Sequence, residues 1–92
     1  MVNAIHYVYV LISHQYNYMY IGMSSDIKKR LNQHSKGWNK TTKAYKPFSL
    51  VYFEIYPNSK TARMREKALK SGHNREWLKA LAKKKYPHFL HL

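Results

Sequence analysis

The sequence contains no cysteine, which excludes disulfide bonds and cysteine-based zinc sites. It has only three glycines and three prolines in 92 residues, and we find neither a linker nor an internal repeat. The apolar run at residues 8–12 is too short for a signal peptide or for a helix that spans a bilayer. These absences predict a single domain over residues 1–92 that lies in the cytoplasm, near the nucleoid if the source is bacterial.

Acidic residues are also scarce, with 4 Asp and Glu against 17 Lys and Arg, which gives a formal net charge of +13. A domain this basic repels itself unless it meets a polyanion. We therefore expect a nucleic acid as the partner, with an anionic membrane surface as the second alternative. A basic protein without either partner is the third.

The hydrophobic pattern predicts a small α/β domain of the α+β type, with elements in the order ββαβαα. Residues 5–12 and 18–23 are rich in β-branched and aromatic side chains and are separated by a polar turn, which predicts an antiparallel hairpin. Residues 36–47 are polar and aperiodic and predict a loop, and residues 48–56 predict a third strand. The expected fold is a three-stranded antiparallel sheet flanked by helices.

Three helices complete this prediction, and each is preceded by polar residues that suit an N-cap. The predicted caps are Ser24 or Ser25 for the first helix, Ser59 for the second and Asn74 for the third. We expect the first helix to end near Ser35. The second should end at Ser71, with Gly72 at its C-terminal end.

Two basic side chains of the first helix share a face with its apolar ones. At 100° per residue the group occupies about a third of the circumference and consists of Ile27, Arg30, Leu31 and His34. The apolar pair should face the sheet, so Arg30 and His34 should point towards it as well. The alternative is that both flank the apolar stripe and extend to solvent.

Glu66 is the acidic residue without a simple structural explanation. It shares a stripe of the second helix with Leu69 and His73, where a carboxylate is costly unless it is paired or binds a metal. The alternative is an exposed ion pair with Lys70. The remaining acids have helix-end or strand-surface explanations, namely Asp26, Glu76 and, on the polar side of the third strand, Glu54.

Several of these residues also form a recognisable pattern. The sequence has "YVY" at residues 7–9, "YIG" at residues 20–22, Arg30 ten residues after Tyr20, and Glu66 on a later helix. The pattern resembles the GIY-YIG nuclease superfamily over about residues 5–81. The segments "YIGMSSDIKKRLNQH" and "ARMREKALK" are most similar to small stand-alone members and to the N-terminal nuclease domain of the excision-repair nuclease.

The resemblance implies an endonuclease that hydrolyses phosphodiester bonds in DNA with one divalent ion, Mg²⁺ or Mn²⁺. Matched residue by residue, the catalytic set is Tyr9, Tyr20, Arg30, His34 and Glu66, with Glu66 as the metal ligand. Tyr9 would be the general base and Tyr20 would position water or phosphate, although the reverse assignment stays open. His34 would either relay the proton or bind phosphate.

Three positions qualify the resemblance. Tyr7 stands where the first motif has its glycine, and Met23 stands where the repair enzymes carry lysine. Asn74 is a possible match to an active-site asparagine found in many members, but its role as a helix cap explains it equally well.

The catalytic chemistry is compatible with this composition. A two-metal site normally needs several carboxylates, whereas Mg²⁺ keeps its waters and often takes only one or two, so Glu66 suffices for one ion. An unperturbed tyrosine pKa of about 10 suits a base at neutral pH poorly. We expect the metal, Arg30 and the positive net charge to lower the pKa of the catalytic tyrosine.

Nucleic-acid binding would use the basic and aromatic side chains of the first helix and of the loop that follows. These are Lys28, Lys29, Lys36, Trp38, Lys40, Lys43, Tyr45 and Lys46. Hydrophobic anchoring of the loop is an equal explanation for the two aromatic residues. We expect cleavage to be structure-directed or weakly sequence-specific, in repair, recombination or DNA processing. The rival hypothesis is a non-catalytic nucleic-acid-binding module that retains the fold.

Overall fold

The computed structural model describes residues 5–40 and 42–87. Within them lie strands β1 (His6–Ser13), β2 (Met19–Ser24) and β3 (Phe48–Tyr56) and helices α1 (Ile27–Ser35), α2 (Ser59–Leu69) and α3 (Gly72–Lys85). A short 3₁₀ helix, Lys43–Tyr45, lies in the loop before β3. The predicted α+β class and the order ββαβαα are confirmed.

The three strands form one antiparallel sheet in the order β2-β1-β3. The central strand has Tyr9 paired with Gly22 on one side and with Phe53 on the other. Residues 8–13 of β1 are all fully buried, as expected for a strand with neighbours on both edges and helices on both faces. The register shifts between Val10 and Leu11, where Val51 adds an extra residue to β3 as a β-bulge.

One face of the sheet carries the main hydrophobic core. The alternate β1 residues Val8, Val10 and Ile12 point to this face, where helices α2 and α3 cover them. The remaining core residues come from the other strands and these two helices, and are Met19, Ile21, Val51, Ala62, Leu69, Leu78 and Ala82. This packing places α2, and with it Glu66, on one side of the sheet.

The opposite face carries Tyr9 and is covered by α1. The only buried residue of that helix is His34, while Ile27, Arg30 and Leu31 are half-buried. His34 therefore points towards the sheet as predicted, while Arg30 is half-buried and close enough to Tyr9 to act on its pKa. A polar residue is the most buried part of α1, so this side of the sheet is built around a buried polar group.

The predicted helix caps were wrong in each case. Asp26 caps α1, with its Oδ1 accepting a hydrogen bond from the Lys29 backbone N–H at 3.0 Å. Asn58 caps α2 in the same way through Thr61, and Ser71 is the N-cap residue of α3. The sequence around each helix offers several capping residues in a row, and only the chain direction at the turn selects among them.

The boundary between α2 and α3 also differs from the prediction. Helix α2 ends at Leu69, and Gly72 opens α3 instead of closing α2. Asn74 lies inside α3, where its Nδ2 donates to the Ala68 carbonyl at 2.9 Å and its Oδ1 accepts from Trp77 Nε1 at 2.8 Å. It therefore satisfies a terminal carbonyl of α2. His73 is exposed at the start of α3 and is not part of the α2 stripe.

Glu54 does not lie on a polar surface, because α2 covers its side of the sheet. Arg65 donates to both carboxylate oxygens, at 2.8 and 3.1 Å, and the hydroxyls of Tyr52 and Tyr56 donate as well. Burial raises the pKa of Glu54, but these hydrogen bonds outweigh it and lower the pKa to about 2. Glu54 and Arg65 thus form a structural ion pair.

None of the helices in the described part of the chain is long and apolar enough to cross a membrane.

Candidate active site

The side chains of Tyr9, Tyr20 and His34 meet on the sheet face that α1 covers. Their ring centroids lie 6.2 Å apart for Tyr9 and Tyr20, 5.9 Å for Tyr9 and His34, and 5.0 Å for Tyr20 and His34. Tyr9 is fully buried, whereas Tyr20 is half-exposed. The structure thus brings together three of the five predicted catalytic residues in direct contact, from β1, β2 and α1.

Gly22 leaves the space that the two tyrosine rings occupy. A Cβ at this position would lie 2.8 Å from the Tyr9 hydroxyl oxygen and 2.8 Å from Cε2 of Tyr20. A glycine at the end of a strand allows either a tight bend or a close approach by another group. The close approach is the correct explanation, and the approaching groups are the two tyrosines of this cluster.

We expect Gly22→Ala to lower the free energy of unfolding by roughly 1–3 kcal/mol, because the added methyl group overpacks the cluster. Gly72→Ala is the matched control, since nothing lies within 4 Å of a Cβ there and alanine restricts the unfolded chain. Denaturant unfolding of both variants measures the difference. Equal stabilities for the two variants would contradict the tight packing at Gly22.

His34 is fully buried, and both of its ring nitrogens have partners. Its Nε2 lies 3.0 Å from the Tyr9 hydroxyl and its Nδ1 lies 2.8 Å from Thr42 Oγ1. Burial, and then the nearby positive charge of Arg30, lower the pKa of His34 below its ordinary value. A neutral, fully engaged imidazole does not suit phosphate binding. Of the two predicted roles, only proton relay fits this environment.

The lowered pKa of His34 makes stability depend on pH. Below about pH 6.5 this histidine is protonated in the unfolded chain, whereas the folded chain keeps it neutral. The unfolded state therefore binds more protons, and the free energy of unfolding falls as the pH falls. We expect His34→Gln to flatten this part of the curve in denaturant unfolding between about pH 7 and 5. His73→Gln, which removes an exposed histidine, should leave it unchanged. Parallel curves for wild type and His34→Gln would show that His34 is not held neutral.

The pKa of Tyr9 is raised, which corrects the expectation that its surroundings lower it. Burial is the main cause, and the nearby Tyr20 adds to it. The guanidinium of Arg30 acts in the opposite direction, but it does not outweigh the burial. The protein residues alone therefore do not make Tyr9 a phenolate at neutral pH. Its proton has an acceptor nearby in His34.

Arg30 lines a polar cavity and also lies close enough to Tyr9 and His34 to influence the pKa of both. The cavity has a volume of about 360 Å³ and is lined by Ser24, Ser25, Asp26, Lys29, Arg30 and Gln33. Two cationic side chains and the N-terminal end of α1 meet here and favour an anion, while the carboxylate of Asp26, which caps the helix, offsets part of this charge. Arg65, by contrast, is bound to Glu54.

Glu66 approaches from α2, on the other side of the sheet. Its side chain is only 15% exposed, and Lys70 contacts its Oε2 at 3.4 Å, so the predicted ion pair is present but long. The negative charge of Glu66 raises the pKa of Tyr9 while Arg30 lowers it. Both charges therefore lie close enough to affect the same hydroxyl group.

A single hard cation fits this donor set better than a dedicated metal cage. Within residues 5–40 and 42–87 no three His, Cys, Asp or Glu side chains cluster as a metal site. One half-buried carboxylate provides a hard oxygen ligand for Mg²⁺, which otherwise keeps its waters and binds substrate phosphate.

Comparison with known proteins identifies the family to which this arrangement belongs. The family model for the GIY-YIG catalytic domain matches residues 5–84. The chain belongs to the GIY-YIG family. This is a nuclease-type family, and its members bind nucleic acid. The predicted family resemblance is confirmed over nearly the whole chain.

Several individual relatives of this GIY-YIG domain are UPF0213 proteins. One from Staphylococcus saprophyticus is 32% identical over 84% of this chain and 94% of its own length. Another, from Clostridium perfringens, is 32% identical over 85% of this chain and 84% of its own length. The solution NMR structure of a UPF0213 protein from Bacillus halodurans is 31% identical, with a TM-score of 0.51 and 84% of each chain covered.

The side chains predicted to bind nucleic acid divide into two groups. The six lysines and Trp38 are exposed, and the Trp38 side chain has an exposed fraction of 67%. The Nζ atom of Lys36 lies 5.6 Å from the centre of the Trp38 ring. Tyr45 instead stacks on Tyr18, with ring centroids 3.9 Å apart and planes 6° from parallel. Hydrophobic anchoring of the loop is thus the better explanation for Tyr45, whereas Trp38 lies open to a ligand.

Thr42 is a residue of this GIY-YIG site that sequence analysis missed. It is fully buried against His34, yet it lies in a polar loop without periodicity, and a single threonine there gives no signal. Only the position of Thr42 against α1 in the folded protein shows the contact.

Proposed function

We propose that this GIY-YIG protein is a metal-dependent endonuclease that hydrolyses phosphodiester bonds in DNA. The observation that supports this most directly is the hydrogen bond between Tyr9 and a buried His34, beside a cavity that contains Arg30. Hydrolysis requires a group that takes a proton from water and another that stabilises the phosphate charge.

Tyr9 and His34 together provide the proton acceptor in this proposal. Tyr9 is fully buried in the free protein, so the proposal requires the neighbouring Tyr20 ring to shift when DNA binds and admit the attacking water. That water gives a proton to the Tyr9 oxygen while Tyr9 gives its own proton to Nε2 of His34. No free phenolate is needed in this transfer, which is consistent with the raised pKa of Tyr9. The low pKa of His34 keeps its ring neutral and ready to accept the proton at neutral pH.

Arg30 and Tyr20 hold the phosphate in the proposed complex. The guanidinium of Arg30 offers paired N–H donors to the phosphate oxygens, and the half-exposed Tyr20 positions the water or phosphate against Tyr9. Glu66 would hold one Mg²⁺ or Mn²⁺. When bound, such an ion polarises the phosphate and stabilises the charge on the leaving oxygen.

The exposed lysines of α1 and of the following loop would contact the DNA backbone. Lysine contacts to phosphates add affinity but carry no sequence information. We therefore propose that cleavage is structure-directed or weakly sequence-specific and serves repair, recombination or DNA processing. Trp38 adds an aromatic surface on which a base can stack.

The test is incubation of the protein with supercoiled plasmid, single-stranded DNA and branched DNA, each with Mg²⁺, with Mn²⁺ and with a chelator. We expect nicks that depend on the metal. Binding in a gel-shift assay without nicks under any of these conditions would support the non-catalytic binding module instead. If the protein neither binds nor nicks DNA, both proposals are refuted.

A further inference from the structure

The hydroxyl group of Thr42 makes the second contact of the His34 ring. Its oxygen lies 2.8 Å from Nδ1 of His34 and 3.5 Å from the carbonyl oxygen of Asn39. Thr42 and His34 are both fully buried, so water does not replace these contacts. The arrangement is a chain of four groups, from the Asn39 carbonyl through Thr42 and His34 to the hydroxyl of Tyr9.

The polarity of this chain follows from its carbonyl end. The contact at 3.5 Å is a weak hydrogen bond, because the Asn39 carbonyl also accepts the backbone N–H groups of Thr42 at 3.2 Å and Lys43 at 2.9 Å. A carbonyl oxygen only accepts hydrogen bonds, so in this contact the single hydroxyl proton of Thr42 points to Asn39. The Thr42 oxygen then accepts a proton from Nδ1 of His34. A neutral imidazole carries only one N–H, so Nε2 is left with a lone pair that faces the Tyr9 proton.

We propose that Thr42 is a positioning residue that holds His34 in the Nδ1–H form, so that Nε2 accepts the proton of Tyr9. Thr42 itself touches no reacting atom. Its effect on catalysis rests on the proposed nuclease function, whereas its effect on the tautomer does not. The wrong tautomer would place an N–H against the Tyr9 hydroxyl and close the path for its proton.

The other groups that face His34 do not fix its tautomer. Tyr9 comes from β1, Tyr20 from β2 and Phe48 from β3, and Arg30 adds a positive charge from the same helix. The Tyr9 hydroxyl can either donate or accept, and the aromatic rings and Arg30 contact no specific ring nitrogen in hydrogen-bond geometry. Among the described residues, only the Thr42 side distinguishes the two nitrogens.

The test combines a tautomer measurement with nuclease kinetics. Nitrogen-15 NMR of histidine-labelled protein reports which ring nitrogen of His34 carries the proton, with His34→Gln to assign the signal. We expect the Nδ1–H form in wild type and in Thr42→Ser. In Thr42→Val, which keeps the shape but removes the hydroxyl, we expect a mixture of forms. Thr61→Val removes an exposed threonine hydroxyl at the start of α2 and is the matched control.

In Thr42→Val we expect the nicking rate to fall tenfold to hundredfold, roughly the effect of removing the outer partner of a histidine at a metal site. The pH profile of nicking should change as well. Thr42→Ser should recover the wild-type rate. An Nε2–H form in wild type, or an unchanged tautomer in Thr42→Val, would overturn the proposal. If the wild-type protein never nicks DNA, the nuclease function fails, but the NMR result still decides the role of Thr42.

Discussion

Glu66→Gln should abolish metal-dependent nicking, with a rate at least about 10³-fold below that of wild type. A metal ion contributes several kcal/mol of stabilisation to the transition state, and each 1.4 kcal/mol corresponds to about a factor of ten. Glutamine keeps the shape of the side chain and removes its charge, so the loss would come from the metal site. The contact with Lys70 is long and partly exposed, so its loss should change the free energy of unfolding little.

The matched control for this experiment is Glu76→Gln. Glu76 is an exposed glutamate on α3, and its substitution changes the net charge by the same amount. We expect full activity and an unchanged response to Mg²⁺ and Mn²⁺. If Glu66→Gln cut as fast as wild type in parallel preparations, Glu66 would not be the metal ligand. Measuring both variants over a range of metal concentrations separates weaker metal binding from a slower chemical step.

Tyr9→Phe should lower the nicking rate by about 10²- to 10⁴-fold, the contribution usual for a general base. The substitution removes one hydroxyl and keeps the ring that packs over Gly22. It also leaves Nε2 of His34 buried without its donor, which should lower the free energy of unfolding by about 1–3 kcal/mol. Rates should therefore be measured well below the melting temperature of the variant, with circular dichroism to confirm that it is folded.

Tyr7→Phe is the control for this variant, because Tyr7 lies on the same strand and face, two residues away. It is half-exposed, and its ring lies 6.1 Å from that of Phe53. We expect little change in either rate or stability. If Tyr20→Phe lost more activity than Tyr9→Phe, the roles of the two tyrosines would be reversed. DNA binding by Tyr9→Phe should match wild type, since the hydroxyl is buried.

The elements of the fold were predictable because they depend on local patterns. Alternating aromatic and β-branched residues identified β1 and β2, and the third strand was predicted with its observed bounds of Phe48–Tyr56. The helix boundaries were less predictable. Asp26 and Asn58 cap helices that serines were expected to cap, because neighbouring polar residues offer similar capping energies and the path of the turn decides.

The electrostatics of the site were not predictable from sequence. The positive net charge suggested that the pKa of Tyr9 would be lowered, but complete burial raises it. Burial is a property of the packed chain and not of its composition. The alternation of side chains along β3 predicted that Glu54 lies on a polar surface. In the folded protein α2 covers this side of the sheet, and Arg65 forms an ion pair with Glu54.

The sequence by itself determined the α+β fold, the basic character and the membership of the GIY-YIG family. Local periodicity singled out Arg30, His34 and Glu66, and the resemblance to the family added Tyr9 and Tyr20 to the predicted catalytic set. The tertiary structure decided how these side chains meet. Hydrogen bonds and burial depend on distances between segments far apart in the chain, such as those of Tyr9 and His34, which are 25 positions apart in sequence. For that reason Thr42 and the neutral state of His34 emerged only from the folded protein.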